Sequence, residues 1–366
     1  MTTTRALVTG AHGARPSVRT VVLDPLGERD VLVEIAAAAV CRTELLTIDR
    51  DGPATVLGHA AMGTVTSVGA AVTRVRVGDA VVVPGTRQCG ACFMCDNGAP
   101  GACDEIFEYF ERRVGVDSDG EVIWSDGGTG THAERMVFVE SNVVRVEGLL
   151  DAEVLALLGC GVTSGAGAVL DVAKVRPGQS VAISGCGHLG LWMVQAARLG
   201  GATTIIAIDD HPNRRDLALA MGATHAIDTG DDVVESVRAL TGGRGADVAL
   251  EAAGTTLAME QSLAMSRLGG TVVPTGLESE HAVVRLSNLE YALGSRTIVG
   301  SQCGGGDVLR LIPEYEGMLA RGDLDAASII TARYPLEGAA AVYDAIADPH
   351  HLTGIIVMPS SRRSER

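Results

Sequence analysis

Lysine is almost missing from this chain: Lys174 is the only one, against 28 arginines. The imbalance reads as a coding bias, and it leaves lysine-based mechanisms such as Schiff-base formation almost no residue to rest on. Aromatic residues are scarce too, at 3% of 366 residues, so nothing points to a large stacking pocket. Basic charge is outweighed by acidic charge to give a net −16, which argues against nucleic acid and anionic membrane as partners, since both need a basic surface. No apolar run approaches the ~20 residues that a membrane helix needs. The opening MTTTRALVTG has no basic region followed by an apolar segment, so no signal peptide is read there and a cytoplasmic setting is expected.

What is present suits an ordinary globular enzyme. Hydrophobic content of 46% can build full cores, and 366 residues suggest two domains. Residues 1–85 alternate apolar and polar positions between Gly and Pro, as in Val31-Leu32-Val33-Glu34-Ile35, and read as short strands of a mostly β module. Cys41-Arg42-Thr43-Glu44 and Gly58-His59 interrupt that pattern with chemically capable groups. Residues 106–126 carry no clear signal, and 108–111 read as a surface loop. Strand character returns over 130–139, where His132 reads as a surface or turn residue rather than a ligand.

Eight cysteines in a reducing setting suggest metal ligands before disulfides. Cys89, Cys92, Cys95 and Cys103 lie close enough to wrap one tetrahedral zinc as thiolates. Four thiolates leave no open coordination position, so such a site holds a loop instead of reacting. Cys186 and Cys303 read as small buried apolar residues.

The stretch 180–209 organises the second half. An apolar strand, Ser180 to Ile183, runs into Gly185-x-Gly187-x-x-Gly190, then a helical segment from Leu191 to Leu199, then a β-branched run ending on Asp209. This order is a βαβ unit with the dinucleotide fingerprint. Gly185 suits the tight turn, Gly187 close approach to a pyrophosphate, and Gly190 close helix–strand packing. Asp209 stands 19 residues after Gly190, where a carboxylate accepts bonds from a ribose diol. Asp209 and Asp210 favour NAD over NADP, a preference tempered by Arg214, a cation within reach of the ribose edge. Further strands at 226–228, 246–251 and 270–275 alternate with helices at 216–221, 233–240 and 256–268. A sixth strand at 297–300 follows, giving an α/β, doubly wound parallel sheet. Residues 151–173 read as helical, with a glycine-dense stretch around Ser164 packed against backbone or cofactor. A helix over 308–321 and a strand near 355–358 return to the first module, and the closing SSRRSER reads as a frayed tail.

The segments CRTE at 41–44, GHAAMGTVTSVG at 58–69, QCGACFMC at 88–95, LGCGVTSGAGAV at 158–169 and SGCGHLG at 184–190 together carry a resemblance. In content and order they are similar to the zinc-containing alcohol dehydrogenases of the medium-chain dehydrogenase/reductase superfamily, over nearly the whole chain. The resemblance implies a GroES-like catalytic domain, residues 1–161 plus 303–366, with a Rossmann domain inserted over 162–302. It implies two zinc ions per chain: a catalytic one on Cys41, His59 and Cys160, and a structural one on Cys89, Cys92, Cys95 and Cys103. Thr43 stands where the family has the hydroxyl that takes the alcohol proton. Arg42 stands where a cation meets the pyrophosphate of NAD(H). Ser164, His188 and Leu189 join the cofactor set, and Thr275, Gly276 and Leu277 match the stretch beside the nicotinamide.

The chain departs from this pattern at three positions. Ala60 replaces a glutamate after the ligand histidine, Glu44 replaces an aspartate, and Leu46 stands where some members carry a relay histidine. Glu44 is expected either to orient His59 or to reach the metal itself. The leading expectation is hydride transfer between an alcohol, or its aldehyde or ketone, and NAD(H). A dedicated polyol or sugar dehydrogenase, suggested by Glu44, and a redox-weak NAD(H)-binding protein are the alternatives. A homodimer or homotetramer is expected, paired through the strand at 297–300.

Overall fold

A computed structural model describes residues 2–10, 15–108, 110–230, 232–279 and 281–359; Tyr109 of the expected surface loop and the 360–366 tail lie outside the described residues. The chain forms two compact units, one of Met1–Cys160, Gly306–Arg321 and Ala326–Arg366, the other of Gly161–Gly305 and Gly322–Asp325. Residues 161, 303–305 and 322–325, grouped with the first module on sequence, belong to the second unit.

In the first unit the strand Asp30–Ala39 is the hub. It pairs antiparallel with Ala61–Val68, Arg135–Val139 and Thr353–Val357. The two ends of the chain therefore meet in one sheet, with Ile356 opposite Ala38 and Val357 opposite Ala37. Val31, Val33, Ile35 and Ala38 are fully buried, because this strand has core on both faces. Beside the sheet, Thr3–Val8, Ser17–Leu23, Arg112–Asp117, Val122–Ser125 and Thr55–Val56 close into a barrel, which leaves no strand edge exposed.

Two of those barrel strands fall in 106–126, where the sequence shows no pattern. Their charges are the reason: charged residues sit at sheltered, ion-paired positions and obscure the alternation. Arg112 meets Asp30 at 2.8 Å, and Arg19 meets Asp117 at 3.3 Å and Glu121 at 2.7 Å.

The second unit is a six-stranded parallel sheet in the order His225–Ile227, Thr204–Ile208, Ser180–Ser184, Ala246–Glu251, Ser266–Pro274, Thr297–Ile298. Strand order reverses between Ser180–Ser184 and Ala246–Glu251, the position at which doubly wound sheets open a ligand crevice. One boundary differs from expectation. The helix Thr256–Met265 stops three residues early and the next strand begins at Ser266. Ser266 turns extended and its hydroxyl donates to the Leu263 carbonyl at 2.9 Å, closing the helix. The ladder then slips between Ala246 and Val248, absorbing Arg267–Gly270. The helical stretch expected over 151–173 is likewise broken into Ala152–Leu157 and Gly161–Gly167, with a wide turn over Ala168–Val172. Among the described residues, no helix is long and apolar enough to cross a membrane.

Candidate functional site

Cys41, His59 and Cys160 come from three separate segments of the first unit. Cys41 follows the hub strand, His59 precedes Ala61–Val68, and Cys160 follows the helix Ala152–Leu157. Their ligand atoms all lie within 4.8 Å of one another. The turn before His59 needs glycine: Gly58 has φ +95°, and a Cβ there would stand 2.3 Å from the His132 ring. Ala60, one of the three departures, is fully buried against Gly159, where a Cβ would come within 2.9 Å of it.

Two carboxylates face the same nitrogen of His59. Its Nδ1 lies 3.6 Å from Glu44 Oε1 and 3.8 Å from Asp126 Oδ2. That leaves Nε2 as the nitrogen for a metal, with the outer-shell acceptors that metal-binding histidines commonly have. Glu44 Oε1 also accepts the Cys41 amide at 3.3 Å, so the carboxylate stands behind the ligands. Asp126 Oδ1 accepts the Thr47 hydroxyl at 2.7 Å. The Thr43 hydroxyl donates to Cys41 Sγ at 3.2 Å.

The electrostatics follow from burial and these contacts. The Cys160 thiol's hydrogen bond holds Cys41 well below the ordinary thiol range, and the same contact together with burial raises Cys160. His59 is raised against the pull of its burial by Cys160 and Asp126, while Asp126, also buried, is lowered by His59. Burial pushes the Glu44 carboxyl up to about 8.

Sequence reasoning missed Asp126 and Tyr343, and it misplaced His132. His132 is fully buried, not at the surface, and its burial holds it down to about 3, so the ring is neutral. It lies 3.7 Å from Glu44 Oε1. The Tyr343 hydroxyl donates to Glu44 Oε2 at 2.7 Å and lies 3.2 Å from His132 Nδ1. No local signal marks these residues, since only the fold unites them.

The four-cysteine lobe is gathered as its spacing implies. Cys89 and Cys95 sulfurs lie 4.0 Å apart and those of Cys92 and Cys103 3.9 Å. A tetrahedral zinc with ~2.3 Å bonds to sulfur sets its thiolates about 3.8 Å apart. The Asp104 amide brings Cys92 down to about 7, and burial pushes Cys103 up to about 12. Gln88 ties the lobe to the following helix, donating to Asp307 at 3.1 Å and accepting the Leu309 amide at 3.1 Å.

In the second unit the fingerprint glycines occupy three different environments. Gly185, at φ +91°, makes the strand-to-helix turn. A Cβ on Gly190 would fall 1.8 Å from the Gly185 carbonyl oxygen, while one on Gly187 would meet nothing within 4 Å. Asp209 ends its strand with Oδ2 accepting the Cys186 amide at 2.7 Å and Oδ1 the His211 amide at 2.9 Å. Arg215, which sequence reasoning overlooked beside Arg214, donates to the Asp209 carbonyl at 2.7 Å.

The glycine-dense helix carrying Ser164 packs against the helix His188–Leu199, as a Cβ on Gly161 would strike the His188 ring and one on Gly165 the Trp192 side chain and the Leu189 carbonyl. Thr275 and Gly276 donate their amides to the Glu251 carbonyl at 3.0 Å, and the buried Thr275 hydroxyl has no partner. Leu277 is largely exposed. Cys186 is buried as expected; Cys303 is only half-buried and has φ +42°.

Residues 27–148 match the alcohol dehydrogenase GroES-like domain family, and 189–321 match the zinc-binding dehydrogenase family. The NDMA-dependent alcohol dehydrogenase of Amycolatopsis methanolica is 32% identical over 372 residues, covering 97% of this chain and 98% of the relative. Among solved structures, an alcohol dehydrogenase zinc-binding domain protein from Burkholderia ambifaria superposes with TM-score 0.92 at 31% identity, covering 98% of this chain and 99% of that one. Benzyl alcohol dehydrogenase from Acinetobacter calcoaceticus gives 0.89 at 28% identity, covering 98% and 100%. With both halves matched and the relatives spanned end to end, the chain belongs to the zinc-binding alcohol dehydrogenases of the medium-chain dehydrogenase/reductase superfamily, and is an oxidoreductase.

Proposed function

We propose that this protein transfers a hydride between a primary or secondary alcohol, or the matching aldehyde or ketone, and NAD(H), using one zinc at Cys41, His59 and Cys160 and a second in the cysteine lobe. The observation that carries the reading is the convergence of two thiols and one imidazole within 4.8 Å. Three protein ligands with a fourth position open are the usual set for a reactive zinc. Bound groups of this kind supply polarisation of an alcohol oxygen and acceptance of a hydride.

The chain's own residues do the rest. Glu44 and Asp126 orient His59 through Nδ1, and Glu44 fixes Cys41 through its amide. Thr43, next to Cys41, takes the alcohol proton through its hydroxyl, and with Leu46 in place of a histidine the proton then leaves by way of ribose hydroxyls and water. Arg42 meets the pyrophosphate. Gly187 leaves space for it at the helix N-terminus, where free amides and the helix dipole favour an anion. The unpartnered Thr275 hydroxyl fits the polar edge of a nicotinamide. Asp209, fixed by two amides and followed by Asp210, accepts a ribose diol and repels a 2′-phosphate. Self-association is assigned to the edge strand Thr297–Ile298, where Leu289, Leu293 and Ile298 expose apolar surface.

The test is zinc per chain by plasma mass spectrometry, paired with NAD-linked oxidation of a panel of simple alcohols and polyols. Two zinc ions and NADH formation that Cys41→Ser abolishes, with NAD binding retained, support the reading. One zinc and no hydride transfer would move the protein to the redox-weak, NAD(H)-binding class.

A further inference from the structure

Glu44 is longer by one methylene than the aspartate of the family pattern, and the structure contains a residue that uses the extra length. We propose that Tyr343 is a positioning residue for the Cys41–His59 pair, acting through Glu44, so that the far end of the chain sets the geometry of the metal ligands. The proposal rests on the zinc reading above.

The geometry is a buried relay of hydrogen bonds. Glu44 is 1% exposed, and its two oxygens have separate duties. Oε1 accepts the Cys41 amide at 3.3 Å and faces His59 Nδ1 at 3.6 Å. Oε2 accepts the Tyr343 hydroxyl at 2.7 Å. Tyr343 lies on the short helix Ala341–Ala345, 299 residues away in sequence, with its ring packed on the hydrophobic core of the first unit. The phenol oxygen also lies 3.2 Å from His132 Nδ1, a second polar contact that holds it in place. His132 is fully buried, and its ring is held from the other side by the Gly58 turn, which a Cβ would drive into it. The carboxylate is thus gripped at both oxygens by groups that cannot move without disturbing the core.

Residue length is what couples position 44 to position 343. An aspartate would withdraw the carboxylate by about one C–C bond, ~1.5 Å. The 2.7 Å hydrogen bond to Tyr343 would open well beyond bonding range. Phenylalanine at 343 would instead leave Oε2 buried without a donor, free to swing and take Oε1 off the Cys41 amide and His59. Loss of such outer-shell support typically weakens metal binding about 10–100-fold.

The experiment follows zinc release from the full-length protein into a chromophoric chelator, for wild type, Tyr343→Phe, Glu44→Asp and the double variant, with kcat and KM measured alongside. Tyr343→Phe keeps the ring in the core, and the zinc of the cysteine lobe serves as an internal check on folding. The expected result is two zinc ions in wild type, with one of them released at least about tenfold faster in Tyr343→Phe. The other stays unchanged, and kcat falls at nearly constant KM. In the Glu44→Asp background the tyrosine substitution should add little, because the bond it removes is already gone.

Two zinc ions in wild type with release and kcat unaltered by Tyr343→Phe would overturn the positioning role and leave the zinc reading intact. So would an equal effect of Tyr343→Phe in both backgrounds. A single zinc in wild type would overturn the zinc reading, and this proposal with it.

Discussion

Asp126 Oδ2 and Glu44 Oε1 face the same imidazole nitrogen of His59, at 3.8 and 3.6 Å. Asp126 belongs to the tight turn Asp126–Gly128, Glu44 to the first turn of the helix Glu44–Ile48, and Thr47 of that helix bonds to Asp126. Two carboxyl oxygens on Nδ1 fix the ring's orientation and leave Nε2 to donate, which is how outer-shell carboxyl groups support a metal site.

Asp126→Asn keeps Oδ1 as an acceptor for the Thr47 hydroxyl and replaces the anionic oxygen that faces His59 Nδ1 with a neutral NH2 donor. The expected outcome is a loss of about tenfold in zinc affinity at the Cys41 site, with the cysteine lobe unaffected. Competition against a chelator of known affinity measures it. Equal affinities in wild type and variant would mean that Glu44 alone orients the ring.

How much of this was legible in the sequence depended on distance along the chain. The cysteine lobe and the glycine fingerprint are each held within a few turns of backbone, so their spacing carries their geometry. Cys41, His59 and Cys160 have no local spacing and were readable only through resemblance. Asp126, His132 and Tyr343 were not readable at all as site residues. Each lies in an ordinary stretch, and it takes closure of the barrel and return of the C-terminal strand to the hub to bring them to Glu44. The charged barrel strands at 112–125 were lost for a different reason. Arg112 and Arg113 open the first strand and the buried, ion-paired Asp117 closes it, which breaks the apolar alternation that marks a strand.

The parallel sheet carries a pH-dependent tie at its centre. Asp247 accepts the Ser180 amide and hydroxyl, both at 2.8 Å, and Arg267 Nε at 2.6 Å, which links three neighbouring strands. Partial burial opposes ionisation there, but the Ser180 amide and Arg267 outweigh it and hold the carboxyl below the usual range. A group lowered in the folded state stabilises above its unfolded pKa, ~3.9, and that contribution disappears as pH falls through the folded value. Asp247→Asn should therefore cost about 1–3 kcal/mol at pH 7. The gap from wild type should narrow steadily below pH 4, as both are followed by urea unfolding. A gap independent of pH would show that the carboxylate's charge contributes nothing.

Gly187 and Gly190 stand three residues apart in one motif, and alanine should affect them in opposite ways. At Gly190 the new Cβ would fall 1.8 Å from the Gly185 carbonyl, a backbone atom of the neighbouring turn. The helix must then move away from the strand, a core clash of the kind that costs about 3 kcal/mol or more. Thermal unfolding should show the loss directly. At Gly187 the Cβ would enter empty space, and φ is −75°, which alanine adopts freely. Gly187→Ala should melt within about 2 °C of wild type, because it creates neither clash nor strain. If that empty space belongs to the NAD pyrophosphate, the same substitution should weaken NAD binding by about tenfold or more, a cost of roughly 1.4 kcal/mol. Calorimetric titration of the folded variant with NAD measures it. Unchanged affinity at Gly187→Ala would remove the pyrophosphate from this turn, and with it the main structural argument for a dinucleotide there.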